Sequence, residues 1–381
     1  MKKKTICLLV VFLFFSVSFF SIAEEIENDN KKIVEDQLLI FQVDEIYNVL
    51  PDEVKEILSE NGLSELSFET LTTLDVSQAF NVIWQMILKE ITKPFKLFYI
   101  TIFLVILSAI FDSYKESLSN QNLKNVFNAV ATLCVIMAIS LPISNLIISA
   151  KDTIINSKNF LSSFVPVFSA ILVSSGQSIS AAAFSAVTLG FIQGIAALLS
   201  SVIVPFLNVY LALCFASSIN QSFDLMPMTE IIRKGINYIL TFSLTVFVGF
   251  WSLQTMVTQS ADNVALKTGK LAVASFIPVV GGPLSEALGS VISCLSLVKS
   301  ATGFFAIISL CIVFLPTIIS CLMWLCSLSV SSAFSQMLGN NRISTVFKST
   351  ANVLKIIIAT ILCFMLMMII GITVLLITFK G

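Results

Sequence analysis

No histidine occurs anywhere in the 381 residues. That absence removes Ser-His hydrolysis, histidine metal sites and imidazole proton relays together. Charge is scarce as well: Asp, Glu, Lys and Arg make up 12% of the chain, about half the share of a soluble domain. No pair of aspartates lies inside an apolar run, so an aspartyl intramembrane protease has no residues to work with. The pattern GxxxxGK(S/T) is missing, and with it a loop that cradles nucleotide phosphates. No block is basic enough to suggest nucleic-acid binding. The eight cysteines lack metal-ligand spacing and read as small hydrophobes, neither disulfides nor ligands. The expectation is a protein with no catalytic residues, no metal and no cofactor, drawing energy from a partner or a gradient.

What is present is apolar. Hydrophobic residues make up 56% of the chain and the mean hydropathy is +0.96, which places it among polytopic membrane proteins. Lys2, Lys3 and Lys4, the apolar run Ile6–Phe20 and the small residues before Glu24 read as a signal peptide over 1–23. An uncleaved anchor is the alternative, and either one exports the segment beyond Ala23. Glu24–Asp75 holds fifteen of the 23 acidic residues. Within it, Pro51 and Gly62 bracket one short helix, and Asp75 opens another that carries Trp84. Residues 24–93 are therefore expected to form a small extracytoplasmic helical domain. Residues 94–381 form the transmembrane domain, with spans over Phe95–Phe111, Val126–Ala150, Leu189–Ser217, Tyr238–Val257, Gly303–Leu328 and Lys355–Phe379.

The membrane part reads as duplicated. Lys158–Val167 (KNFLSSFVPV) and Lys270–Val279 (KLAVASFIPV) share five of ten residues at an offset of 112. A base followed four residues later by Asn precedes three spans: Lys124/Asn128, Arg233/Asn237 and Lys348/Asn352. The repeat units are about 124–232 and 233–347. If the three basic turns share the cytoplasmic side, an even number of crossings separates them. The tracts around Pro166 and Pro278 are too short for two full spans, so each is expected to be a re-entrant hairpin lining a protein interior. The fold expected is all-α: about six transmembrane helices, two re-entrant hairpins and the exported domain.

Polar chemistry in the apolar part is sparse. Pro166, Gln177, Pro278, Gly281, Gly282, Glu286 and Lys299 are the candidates for a hairpin or a polar path. Two readings stay open for the ionisable pair. Each lines a path, or Glu286 caps the start of a helix and Lys299 its end, where the helix dipole favours them. Gln177, Gln193 and Asn208 either line a path or bond between helices. Gly190 and Gly194 in GFIQG form a small-residue face for close helix packing.

The signal peptide, the acidic exported segment, the polytopic body and the run SFIPVVGG…SEAL…VKSATG from Ser275 to Gly303 together resemble the stage III sporulation protein AE family of endospore-forming bacteria. Ser300 departs from the Asn expected after the lysine. The resemblance implies a multi-pass protein of the mother-cell membrane around the forespore. It implies a permease-like part in a channel or secretion-like complex, with ring-forming membrane proteins and a cytoplasmic ATPase as partners. A free-standing secondary transporter of a small solute is the alternative, since duplicated broken segments also mark that class.

Overall fold

The computed structural model describes residues 47–60, isolated positions between 88 and 110, and residues 121–219, 225–276 and 281–378. The signal segment, most of the acidic segment and Pro278 lie outside them. The described residues form helices α1 (Asp52–Glu60), α2 (Gln121–Ser174), α3 (Ser178–Leu198), α4 (Val204–Ile219), α5 (Met226–Phe276), α6 (Gly281–Met337) and α7 (Asn341–Thr378). A π-helical turn, Leu199–Ile203, joins α3 to α4 as one continuous return helix. Five apolar runs among the described residues are long enough to cross a bilayer: Ala129–Ser174, Ala181–Ile219, Pro227–Leu253, Val298–Met337 and Asn341–Thr373. Phe98–Leu107 is a shorter apolar helix. The chain is an all-helical, multi-pass membrane protein, and α1 begins just after Pro51 as the sequence predicts.

The helices are longer than the spans read from sequence. The 54 residues of α2 and the 57 of α6 rise roughly 80–86 Å, against a hydrocarbon core of about 30 Å. Pro142 and Pro166 sit inside α2, and Pro316 inside α6. Each removes one backbone donor, a loss that neighbouring helices make tolerable in membrane proteins.

The hairpin expected around Pro166 accordingly takes another form. Its turn falls at Ser175–Gln177, within the polar run SSGQS of residues 174–178, but its limbs are the ends of α2 and α3 and not short elements of their own. The chain turns ten residues beyond the proline, where Gly176 adopts φ 82°, a conformation cheap only for glycine. The Gln177 N–H then donates to the Leu172 carbonyl at 2.9 Å and the Gly176 N–H to that of Val173, which satisfies the last carbonyls of α2. In the second tract, Gly281 and Gly282 open α6, with Pro283 in its first turn, a position proline favours. Two long helices now lie between successive base-and-Asn pairs.

α7 is the central helix, packed against α2, α4, α5 and α6. Ser332 and Ser344 tie α6 to α7 with hydroxyls 2.9 Å apart, and Gly339 (φ 79°) makes the turn between them. At the other end of the pair, Gly303 faces Leu376; a Cβ at Gly303 would lie 2.5 Å from the Leu376 Cδ2.

Two contacts tie the long helices together part-way along their length. The Thr153 hydroxyl of α2 lies 2.7 Å from the Thr317 hydroxyl of α6, and Thr317 is near the middle of Val298–Met337. The Cys363 thiol of α7 points at the Leu240 carbonyl of α5, 3.8 Å away, near the middle of Pro227–Leu253. The crossing of α2 and α6 is staggered. From Thr153, α2 extends roughly 48 Å towards its start while α6 extends roughly 30 Å the same way; at the opposite end the lengths are about 32 and 54 Å.

Candidate functional site

The interior of the bundle is built from rings. Phe160, Phe164 and Phe168 recur every fourth residue on the buried face of α2, with centroids 6.4 and 5.1 Å apart. The row continues across α3 and α5: Phe168 to Phe184 (5.6 Å), Phe184 to Trp251 (6.1 Å), Trp251 to Phe247 (5.7 Å) and Phe247 to Phe191 (5.7 Å). Beside this row lies a cavity of about 10 Å³ lined by Leu161, Phe164, Phe184, Thr188, Trp251 and Met368 among others. A space that small holds at most one water, and its wall is apolar apart from the Thr188 hydroxyl and the Trp251 indole. It is a gap in packing, not a conduit.

Polar chemistry lies instead on the outside of α2. Asn145, Ser149, Asp152, Asn156, Asn159 and Ser163 recur with spacing 4-3-4-3-4. At 100° per residue they share an arc of roughly 80°. Asn145, Ser149, Asp152 and Asn159 are exposed; Asn156 and Ser163 are half-buried. The exposed Pro166 continues the stripe; Lys151 and Lys158 both lie on one side of it, roughly 80–100° further round the helix. One edge of α2 meets α6 through Thr153. The other meets α3, where the Gln193 amide donates to the Ser162 hydroxyl at 3.4 Å. The stripe runs between these edges, level with the Thr153–Thr317 contact, and the described residues leave it uncovered. The sequence reading ends a span at Ala150, whereas the apolar helix runs on to Ser174, with Lys151 and Lys158 close to the Thr153–Thr317 contact. A lysine or aspartate held at the centre of a bilayer costs about 2.5–3.5 kcal/mol on insertion scales.

The other predicted residues are dispersed. Gln177 occupies the N-cap position of α3 without a capping bond, and its buried Oε1 accepts no hydrogen bond from the described residues. Gly281, Gly282 and Glu286 lie in the first turns of α6. Lys299 is 2% exposed and sits well inside α6, so the account of it as a helix-end residue does not hold. It lies roughly 27 Å along α6 from Thr317, wrapped in protein with Val298 and Thr302 buried beside it. Gly190 and Gly194 open outwards, with no described atom within 4 Å of where a Cβ would stand. Asn208 is exposed on α4. The stripe is the feature the sequence reading missed, and its 4-3 spacing was the available signal.

A family model described as Stage III sporulation protein AE matches residues 63–378. A curated protein of Bacillus subtilis (strain 168) carrying the same description is 26% identical over 271 residues, which is 71% of this chain and 66% of the relative. The match thus covers just under two thirds of that relative's own length. No solved structure matches the chain.

Proposed function

Because this chain belongs to the stage III sporulation protein AE family, we propose that it is a non-enzymatic, permease-like component of a sporulation-specific channel or secretion-like complex. Its place is the mother-cell membrane surrounding the forespore. Its partners are ring-forming membrane proteins and a cytoplasmic ATPase, which supplies the energy this chain has no motif to harvest.

The observation that carries the reading is the contrast between inside and outside. Aromatic rings fill the packing of α2 against α3 and α5, whereas a polar stripe on the outside of α2 stands uncovered by the described residues. A free-standing secondary transporter keeps its polar site between its own helices; a complex component presents it to its neighbours. The pairs α2/α3–α4 and α5/α6 are read as two copies of one long hairpin. Lys124, Arg233 and Lys348 lie near the starts of α2, α5 and α7, which puts those starts in the cytoplasm under the positive-inside rule.

Reporter domains fused after Asn237 and Asn352 are expected to report the cytoplasm, and a single cysteine at Gly176 to react with an impermeant reagent from the opposite side. One fusion on the wrong side breaks the duplication. Separately, tagged chain extracted in mild detergent from sporulating cells is expected to bring down a fixed set of membrane partners and an ATPase. Chain that elutes alone and moves a solute across liposomes would reverse the reading in favour of the transporter.

A further inference from the structure

We propose that the bundle bends as two bodies about one plane, which passes through Thr153, the π-helical turn Leu199–Ile203 and Pro316. Both return helices, α3–α4 and α6, are interrupted at that level by a proline. The hinge goes beyond the function proposed above and holds whether the chain works in a complex or alone.

The register of the helices defines the plane. α2 and α3 run antiparallel from the turn at Gly176, with Ser162 against Gln193 and Phe168 against Phe184. Thr153 lies nine residues before Ser162 and fifteen before Phe168; equal steps along α3–α4 reach Val202 and Leu199. Both fall inside the π-helical turn, which packs against α2. Thr317 of α6, with Pro316 just before it, touches Thr153 itself. The two interruptions share a cause. In the first, the Val204 N–H reaches back to the Leu199 carbonyl, the wider spacing of a π-helix, and Pro205 follows directly. Proline has no N–H, and its ring clashes with the carbonyl four residues earlier. Here that carbonyl is Ser201, inside the turn, so the extra width relieves the clash. In α6, Pro316 leaves the Ile312 carbonyl without its helical donor. Prolines and π-turns are where helices bend. The outgoing helices α2 and α7 cross the plane unbroken. The Thr153 and Thr360 hydroxyls bond back to the Ser149 and Ile356 carbonyls at 2.8 and 2.9 Å, contacts that often bend helices. Such bonds recur along the bundle; what singles this level out is a proline in each return helix. Packing divides at the same level. The aromatic row lies wholly on the Gly176 side: Phe160 is seven residues past Thr153, and Phe191 stops eight before Leu199. On the other side, Ser332 and Ser344 tie α6 to α7. Bending at the plane tilts one end of the bundle against the other and leaves both sets of contacts in place.

The test measures distances between spin labels in the full chain in micelles, with the native cysteines replaced and labels placed at pairs of exposed positions. Ala186 with Ala216 spans the plane along the first return helix, and Leu253 with Met337 spans it between α5 and α6. Val173 with Leu253 lies wholly on the Gly176 side, and Val126 with Ala216 wholly on the other. The spanning pairs are expected to give broad distance distributions and the same-side pairs narrow ones. Pro205→Ala should narrow the first spanning pair, and Pro316→Ala the second, to the width of the same-side pairs. Spanning pairs no wider than same-side pairs would overturn the hinge. Equal breadth in all four pairs would overturn it as well, because motion would then not be confined to one plane. These widths come from the chain with both prolines in place, so they decide the matter even where a proline variant fails to fold. Folded variants that leave the spanning widths unchanged would also count against it.

Discussion

Phe164→Ala is expected to be the most damaging single truncation in the bundle. Phe164 is fully buried and stands between Phe160 and Phe168 in the row of rings. In a bilayer the truncated site gains no exposure to water, so the transfer part of the usual cost largely disappears. The cavity part remains: at about 24 cal/mol per Å³, and with about 100 Å³ removed, it comes to roughly 2.4 kcal/mol. That cost is dispersion attraction between close-packed side chains, the force that holds membrane helices together. Phe242→Ala is the comparison, because Phe242 is 72% exposed on α5 and its ring touches little of the protein; its change should stay within about 0.5 kcal/mol. Unfolding of purified protein in mixed micelles, titrated with denaturing detergent, reads both. Equal shifts for the two variants would mean that the aromatic row does not hold α2 to α3 and α5.

Gly303→Val carries the second large effect, for the opposite reason. A Cβ at this position meets the Leu376 Cδ2 at 2.5 Å and its Cγ at 3.0 Å, so valine fits only if the buried Leu376 side chain leaves its place between α6 and α7 or the helices part. Overpacking of this kind costs about 1–3 kcal/mol. The strain falls at the end of the α6–α7 pair away from the Ser332–Ser344 tie. Gly194→Ala is the contrasting change. No described atom lies within 4 Å of its new methyl group, and alanine in a helix interior is favoured over glycine by up to about 1 kcal/mol. The monomer should therefore become slightly more stable. The same detergent titration separates the two, with opposite signs expected; destabilisation by both would show that Gly194 has a neighbour in the monomer.

Composition and hydropathy were enough to read an all-helical membrane protein, because a bilayer leaves few alternatives for a chain this apolar. The turn at Gly176 was legible for a local reason: serines, glycine and glutamine interrupt an apolar run there, and glycine tolerates the backbone angle required. Helix ends elsewhere were misread. Pro166 signals a break in water, yet here it costs one backbone bond inside a helix that its neighbours hold together, as Pro316 does in the span read through it. Lys299 looked like a helix-end residue only because α6 was taken to end beside it. The stripe on α2 was missed for a related reason. Lys151 and Asp152 look like the end of a span when one helix is read alone; the Thr153–Thr317 contact sets them level with the middle of an apolar run of α6. Depth in a membrane is a property of the bundle, which a single helix's hydropathy does not encode.

Pro316 immediately precedes Thr317 in α6. The residue that ties α6 to α2 thus adjoins the point where α6 lacks a backbone hydrogen bond, the usual site of helix bending. The two rods are fastened where one of them flexes most easily. With arms of roughly 30 and 54 Å on either side of that point, a few degrees of bend at the pivot would swing the first turns of α6 by several ångströms and leave the threonine contact almost unmoved. The staggered crossing therefore has the mechanics of a lever with a fixed fulcrum, its long arm on the side of Gly281 and its short arm on the side of the basic turns.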